Sequence, residues 1–501
     1  MRTVRLSTTL ASTARFQSTG TRGIPTRLMH SSARLRSVEA PREIPTEWLR
    51  RIIEDDTSPP KLYAWRPENL PSRSETGSQS TQGLKTGTDS RRDDHDDDDD
   101  ENRRIYILGV GNIGRLYAMC LSKLVDAPPI TLVVHRKELL AHWVADPGIE
   151  LTRHGRVHRN AGFDIEWWTD VAPPPPPQSC GAAARAPEVA AGGHIGNLIV
   201  ATKASDAVPQ VDRVRRYLGR TSTVAFAQNG MCKLWPPVGD AYVRARFRQG
   251  ASPDWIACVT THGVTSQGPF KSTHASPANA LVGPVMAGGA GAGAGGGTGE
   301  QKMGYLMRLI AEAPDLDARA VSRKELWVAQ LEKLVVNAVI NPLTAVLRCK
   351  NGELFSARDD GISVVIDKLL SEASEILRAL VLDSRSDEIL LSGSISEGAA
   401  SEDSTAKSLG NTREELLERF CFARLRTMVL DVGAKVGANT SSMLQDVRAG
   451  KQTEIDDFNG WLVETARLLD KGLHLSTHAK LITLVKDKAA LTRFELCERL
   501  L

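Results

Sequence analysis

The feature that most constrains this chain is a short apolar run, Arg104 to Leu108, that passes without a break into Gly109-Val110-Gly111-Asn112-Ile113-Gly114. Leu116, Ala118, Met119 and Leu121 then continue at helical spacing, so the segment reads as strand, glycine turn, helix. Gly109 permits the tight turn, Gly111 lets backbone approach a pyrophosphate, and Gly114 lets the helix lie close on its strand. Backbone N–H groups from Asn112 and Ile113 onward face outward at the helix start, where a phosphate binds. A chain that opens this way builds a parallel sheet with helical crossovers, and the turn is the expected dinucleotide site.

The next strand, Ile130 to Val134, ends in His135-Arg136-Lys137, where an NAD site would place an acidic residue. Basic side chains there suit a ribose 2′-phosphate, so NADPH/NADP is the expected cofactor. Arg136 is its expected ligand, because a guanidinium donates two parallel bonds to phosphate. Further strands are predicted at Leu198 to Thr202, Thr223 to Ala227 and Trp255 to Thr261. Their carboxyl ends carry Lys203, Gln228-Asn229-Gly230 and His262-Gly263. Ligands of an open parallel sheet sit beyond those ends, which places Lys203 and Asn229 near cofactor or substrate.

The chain's 501 residues carry a net charge of only +3 and no basic patch with interleaved aromatics, which argues against a nucleic-acid partner. Seven scattered cysteines imply neither a disulfide framework nor a zinc site, and no metal is expected. No apolar run approaches the roughly 20 residues that span a bilayer. Residues 1–38 contain seven arginines, thirteen serines and threonines and no acid, the composition of a mitochondrial transit peptide, so the matrix is the expected location. Residues 39–102 read as a disordered, acidic linker ending in Asp96-Asp97-Asp98-Asp99-Asp100-Glu101, which repels itself. Within it, Trp48, Leu49, Ile52 and Ile53 have helical spacing and could dock on the folded body. Residues 103–320 are assigned to the dinucleotide-binding domain, with low-complexity insertions at 172–196 and 286–300. Residues 321–501 are assigned to a helical substrate domain with a disordered insertion at 384–410.

Ser322-Arg-Lys-Glu325 reads as a capping box opening a long helix. On it, Lys333, Asn337 and Asn341 recur at i, i+4 and i+8, within about 80° of one another, on an otherwise apolar surface. A buried lysine beside two amides is costly unless it meets a ligand or partner. Leu331-Glu-Lys333-Leu-Val-Val-Asn337-Ala-Val-Ile-Asn341-Pro342 and Asn351-Gly352-Glu353-Leu354 closely resemble the ketopantoate reductase family. A second block, Asn439-Thr-Ser-Ser442-Met-Leu-Gln-Asp446, then Glu454-Ile-Asp456 and Asn459-Gly460, resembles that family's other signature, twelve residues separating Ser442 from Glu454.

The resemblance implies an N-terminal Rossmann-type domain and an all-helical C-terminal domain like that of 6-phosphogluconate dehydrogenase. It also implies reduction of 2-dehydropantoate to pantoate, a step towards coenzyme A, with hydride from NADPH. Carried over, Lys333 is the general acid on the C2 carbonyl oxygen, and Glu454 orients it and binds the substrate's hydroxyl. Asn337, Asn341, Asn439 and Ser442 hold carboxylate and hydroxyl, while Lys203, Asn229 and Arg136 match the cofactor and substrate crevice. The N-terminal extension and the insertions are foreign to compact members, which leaves another 2-keto acid open as substrate; a monomer and a homodimer are both open as assembly. The competing expectation is a catalytically silent mitochondrial relative associated with translational activation.

Overall fold

The computed structural model describes residues 46–70, 101–172, 187–286, 304–356, 360–392, 402–469 and 471–501. Residues 1–38 and Asp96 to Asp100, on which the mitochondrial and acidic-linker expectations rest, lie outside them. Helix α1 (Glu47–Glu54) and strand β1 (Tyr63–Trp65) come first. The glycine motif folds as β2 (Ile105–Leu108) and α2 (Asn112–Leu121), as its pattern requires. Then follow β3 (Ile130–Val134), α3 (Lys137–Ala145), β4 (Ile149–Arg153), β5 (Arg156–Asn160), β6 (Asp164–Thr169) and β7 (Asn197–Val200). Helix α4 (Ala204–Val214), β8 (Thr223–Phe226), α5 (Val238–Arg246) and β9 (Asp254–Thr260) continue the alternation. Strands β10 (Gly263–Gly268), β11 (Lys271–Ser276) and β12 (Ala280–Met286), α6 (Tyr305–Glu312) and β13 (Ala318–Ala320) complete this half.

Nine strands form one sheet in the order β1-β6-β3-β2-β7-β8-β9-β12-β13. From β6 to β9 every pair is parallel, and strand order reverses between β2 and β7. This is the Rossmann arrangement, and its ligand crevice opens at that reversal, over Gly109 and Lys203. Strands β2, β3 and β7 are buried at every position, because helices cover both faces of a parallel sheet. Along β2 the side chains alternate between two cores: Ile105 and Ile107 in one, Tyr106 and Leu108 in the other, which extends into the helical domain.

Four further strands form a second sheet, β10-β11-β4-β5, that the sequence reading missed. Arg115 of α2, 5% exposed, ties it to the glycine turn: its guanidinium donates to the carbonyls of Gly268 (2.8 Å), Lys271 (2.7 Å) and Gly111 (3.1 Å).

The second half is helical: α7 (Arg323–Leu347), α8 (Gly361–Leu382), α9 (Asp387–Leu391), α10 (Glu402–Arg419), α11 (Phe422–Lys435) and α12 (Ser442–Arg448). A π-helical turn, Asp456–Gly460, leads into α13 (Trp461–Leu469), followed by α14 (Ser476–Lys486) and α15 (Arg493–Leu500). Helix α7 begins at the capping box, where Glu325 N–H donates to Ser322 Oγ and the Glu325 carboxylate accepts from Ser322 N–H. Among the described residues no helix is long and apolar enough to cross a membrane, and no cluster of three metal-binding side chains occurs.

Several low-complexity boundaries are corrected by the packing. Residues 46–70 of the expected linker are a folded strap, because Leu49, Leu62, Ala64 and Trp65 find apolar partners and become buried. Strand β1 pairs antiparallel with β6. The expected insertion at 172–196 is folded from residue 187 onward, where Val189 and Ile195 enter the core. Met286, placed in the next insertion, is the buried end of β12. The segment 384–410 was expected to be disordered. It contains a 3-10 turn (Ser384–Ser386), α9 and the first half of α10, since Ile389 and Leu390 are buried. The proline run at 173–177, the glycine run at 288–299 and residues 393–401 lie outside the described residues.

Candidate active site

The nucleotide end of the crevice is shaped by backbone. Gly109 has φ +100°, and a Cβ on Gly114 would stand 2.1 Å from the Gly109 carbonyl oxygen, so fold and turn geometry demand glycine at both. Gly111 is different: a Cβ there would meet nothing within 4 Å. The open space lies at the start of α2, ahead of its first intrahelical bond, Arg115 N–H to Gly111 O at 3.0 Å. A pyrophosphate fits such a cradle, accepting from first-turn amides that the helix itself cannot use. Arg136 is exposed at the C-terminal end of β3 and makes no side-chain hydrogen bond or ion pair among the described residues. Its neighbour Lys137 lies over the Trp65 ring, 4.5 Å from the centroid, which leaves Arg136 as the available cation.

At the other end Lys333 projects from α7 between the ends of two strands. Its Nζ donates to Asn229 Oδ1 (3.0 Å), beyond β8, and to the Thr260 carbonyl (2.5 Å), the end of β9. Asn229 Nδ2 donates in turn to Glu454 Oε2 at 3.3 Å. Burial pulls the Lys333 ammonium down to about 8, opposed by the carboxylate of Glu454. Burial likewise pushes Glu454, 5% exposed, above the ordinary carboxyl range, with Lys203 and the Asn229 bond working against it. A lysine that is still charged near neutrality but yields its proton readily is suited to general-acid work.

The π-helical turn that follows Glu454 is tied to α7 by the amide of Asn459. Pro342 lies inside α7 and has no N–H, so the carbonyl of Ala338 loses its i+4 donor. Asn459 Nδ2 takes that place at 2.9 Å, and the same group lies 2.9 Å from His478 Nδ1. His478 is buried, held neutral by that burial, and its Nε2 donates to the Leu369 carbonyl (3.0 Å). The two signature blocks, Asn341-Pro342 and Asn459-Gly460, are therefore physically one device.

The structure brings Lys333, Asn229 and Glu454 together. Lys203, expected near cofactor or substrate, forms an ion pair with Asp446 of α12 (2.5 Å) and lies 3.8 Å from Glu454. Burial alone would depress its ammonium, but Glu454 and Asp446 outweigh that and raise it. Asn341 Nδ2 donates to Ser442 Oγ at 3.4 Å, while Asn337 makes no side-chain hydrogen bond among the described residues. Asn439 does not join this group; it donates to Ser276 Oγ at 3.5 Å, at the end of β11. The Asn112 side chain is turned away from the crevice, donating to the Val264 carbonyl (3.1 Å) and accepting from Ser272 (3.2 Å), so only its backbone and that of Ile113 remain for phosphate. The sequence reading missed the Thr260 carbonyl, which no residue type could signal. It also gave no role to Asp446, whose place one turn after Ser442 on a short helix was the available signal.

Comparison with known proteins matches both halves of the chain to one family. Residues 105–286 match the family described as "Ketopantoate reductase PanE/ApbA", and residues 325–489 its C-terminal domain. A ketoisovalerate reductase of Gibberella fujikuroi is 41% identical over 464 residues, 91% of this chain and 98% of that protein. A ketoisovalerate reductase of Beauveria bassiana is 40% identical over 474 residues, again 91% and 98%. A probable 2-dehydropantoate 2-reductase of Schizosaccharomyces pombe is 27% identical over 400 residues, 78% of this chain and 98% of that one. Among solved structures, D-mandelate dehydrogenase with NADH and anilino(oxo)acetate shares the fold, with TM-score 0.50 and 15% identity over 77% of this chain and 98% of that one. With a Rossmann crevice on one side, a helical domain bearing the lysine on the other and full-length relatives of this kind, the chain belongs to the ketopantoate reductase family of NAD(P)-dependent oxidoreductases.

Proposed function

We propose that this protein reduces a short, branched 2-keto acid of the ketoisovalerate class to the 2-hydroxy acid, using NADPH. The observation that carries the chemistry is the Lys333 ammonium, held by Asn229 and the Thr260 carbonyl beside Glu454 at the mouth of the crevice. NADPH, when bound, supplies hydride to the carbonyl carbon. As negative charge grows on the carbonyl oxygen, Lys333 Nζ donates its proton there, and the Glu454 charge keeps the ammonium protonated until then. Asn341, Ser442 and the unpaired amide of Asn337 supply donors and acceptors for the substrate carboxylate. Arg136 would meet the 2′-phosphate, and the amides around Gly111 the pyrophosphate.

The substrate class follows two relatives covered over 98% of their length, both ketoisovalerate reductases. Ketopantoate, which adds a hydroxymethyl group, is the second reading, supported by the family and the fission-yeast relative. NADPH oxidation measured with each acid distinguishes them: a higher kcat/KM for ketoisovalerate is expected, a higher value for ketopantoate reverses the choice, and turnover of neither rejects the reductase reading. We further propose delivery to the mitochondrial matrix, supported by the acid-free, arginine-rich first 38 residues. A fluorescent protein carrying those residues should co-localise with mitochondria, and diffuse fluorescence would exclude the address.

A further inference from the structure

The N-terminal strap reaches the catalytic centre through two side chains. Trp48 of α1 is half-buried, and the Lys233 ammonium lies over its ring, 5.2 Å from the centroid. The same ammonium stands 3.1 Å from Asp457 Oδ1, with both side chains largely withdrawn from water, 20% and 6% exposed. Asp457 N–H donates to the Glu454 carbonyl at 3.0 Å. The Asp457 carbonyl abuts Gly230, where an added Cβ would stand 2.9 Å from its oxygen. Gly230 follows Asn229, which binds both Lys333 and Glu454. The strap itself is anchored: Leu49 is buried, Arg246 donates to the Ile52 carbonyl, and Arg215 and Arg216 donate to the carbonyls of Thr57 (2.6 Å) and Pro59 (2.9 Å).

We propose that Trp48 and Lys233 are positioning residues for the reduction: the strap holds the Lys233 ammonium on Asp457, which fixes the turn carrying Glu454 and screens Glu454 from the Asp457 charge. The proposal rests on the roles given above to Lys333 and Glu454. Its physical basis is a count of the charges that surround the buried Glu454 carboxyl. Glu454 is faced by Lys203 and Asp446, by Asp457 on its own turn and by Lys333 from α7. Asp446 has Lys203, and Asp456 has Lys486 at 2.7 Å, while Lys233 serves Asp457 and also opposes the burial that raises Glu464. Without Lys233 the Asp457 charge loses its direct ion pair and keeps only the more distant Lys203, beside a carboxyl that burial already pushes upward. Glu454 then ionises only at higher pH, and the acid limb of turnover moves up. Trp48 confines the ammonium by attracting it to the ring face.

The test compares pH profiles of kcat for the full-length enzyme with Lys233→Met, Lys233→Arg, Trp48→Ala and Trp48→Phe. Lys233→Met should raise the acid-limb midpoint by about one pH unit, a roughly tenfold loss of kcat on that limb, with KM for NADPH unchanged. Lys233→Arg should restore most of it, because the charge returns. Trp48→Ala should move the limb the same way by about threefold in rate, and Trp48→Phe by less, keeping the packing if the alanine variant folds poorly. A limb that stays put in Lys233→Met overturns the proposal, and one that stays put in both Trp48 variants removes the strap from it. If the wild-type enzyme turns over no 2-keto acid, the reductase reading fails separately. The brace is then judged on the Glu454 carboxyl by infrared difference titration against Glu454→Gln. An upward midpoint in Lys233→Met supports it, and an unmoved midpoint overturns it.

Discussion

On the sheet side of the crevice, positions are held by backbone: the path of Gly109 to Gly114, the open face of Gly111, the free amides at the start of α2. On the helical side they are held by side chains far apart in sequence, Lys333 with Asn229, Asn459 with Ala338, Lys203 with Asp446. The first side is local and tolerates no bulk at Gly109 or Gly114. The second is assembled by the fold and tolerates bulk better than loss of a charge or an amide.

The sharpest test of that difference is chemical. Lys333→Ala should lower kcat by ~10³-fold while leaving NADPH binding intact, because it removes proton donation and not the cradle. In the wild type, kcat should fall about tenfold per pH unit above about 8, as the Lys333 ammonium, depressed to about 8, is lost with rising pH. A flat profile up to pH 10 would remove Lys333 from the proton step. Next, two neighbouring glycines should part company. Gly114→Ala forces a Cβ to 2.1 Å from a carbonyl and should cost about 3 kcal/mol of stability, visible as a lower Tm. Gly111→Ala should leave Tm unchanged and weaken only NADPH binding, so equal losses in both would contradict the open-cradle reading. Arg136→Ala should cut kcat/KM for NADPH by about tenfold to a hundredfold and spare NADH, since one charge-assisted phosphate bond is worth about 1.5–3 kcal/mol. Smallest, Asn459→Ala should cost about 1–2 kcal/mol by leaving the Ala338 carbonyl unpaired, read by chemical denaturation.

This division also explains what was legible beforehand. The strand, turn and helix of residues 104–121, the strand at Ile130 to Val134 and the capping box at Ser322 are local patterns, and each forms where its pattern lies. The polar stripe of Lys333, Asn337 and Asn341 was visible as a helical period, and the family resemblance named Asn229, Glu454 and Ser442 around it, but the backbone that receives the lysine was not visible. That the Thr260 carbonyl receives Lys333, or that Asn112 turns towards the second sheet, depends on where β9 ends and where β10 and β11 lie. Strands β5, β10 and β11 were missed because their residues, such as the exposed Arg156 to Arg159, lack the apolar alternation that marks a strand, and β4 because its alternation is only Ile149-Glu-Leu151 long. The docking helix of the strap was legible in the spacing of Trp48, Leu49, Ile52 and Ile53, whereas β1 and α9 were masked by polar surroundings: a few buried apolar residues, Leu62, Ala64, Ile389 and Leu390, suffice to fold segments whose composition reads as linker.

The pairing of β1 with β6 has a practical consequence for anyone shortening this protein. A chain cut to start at Arg103 would keep the whole dinucleotide motif and lose the strand that caps the sheet. It would bare the outer edge of β6, Asp-Ile-Glu-Trp-Trp-Thr, with its N–H and C=O groups facing water beside Ile165, Trp167 and Trp168. An exposed edge rich in aromatic and β-branched residues recruits strands from other molecules. The shortened protein should therefore aggregate with concentration even if its crevice is intact, and the strap is in this sense the molecule's guard against itself.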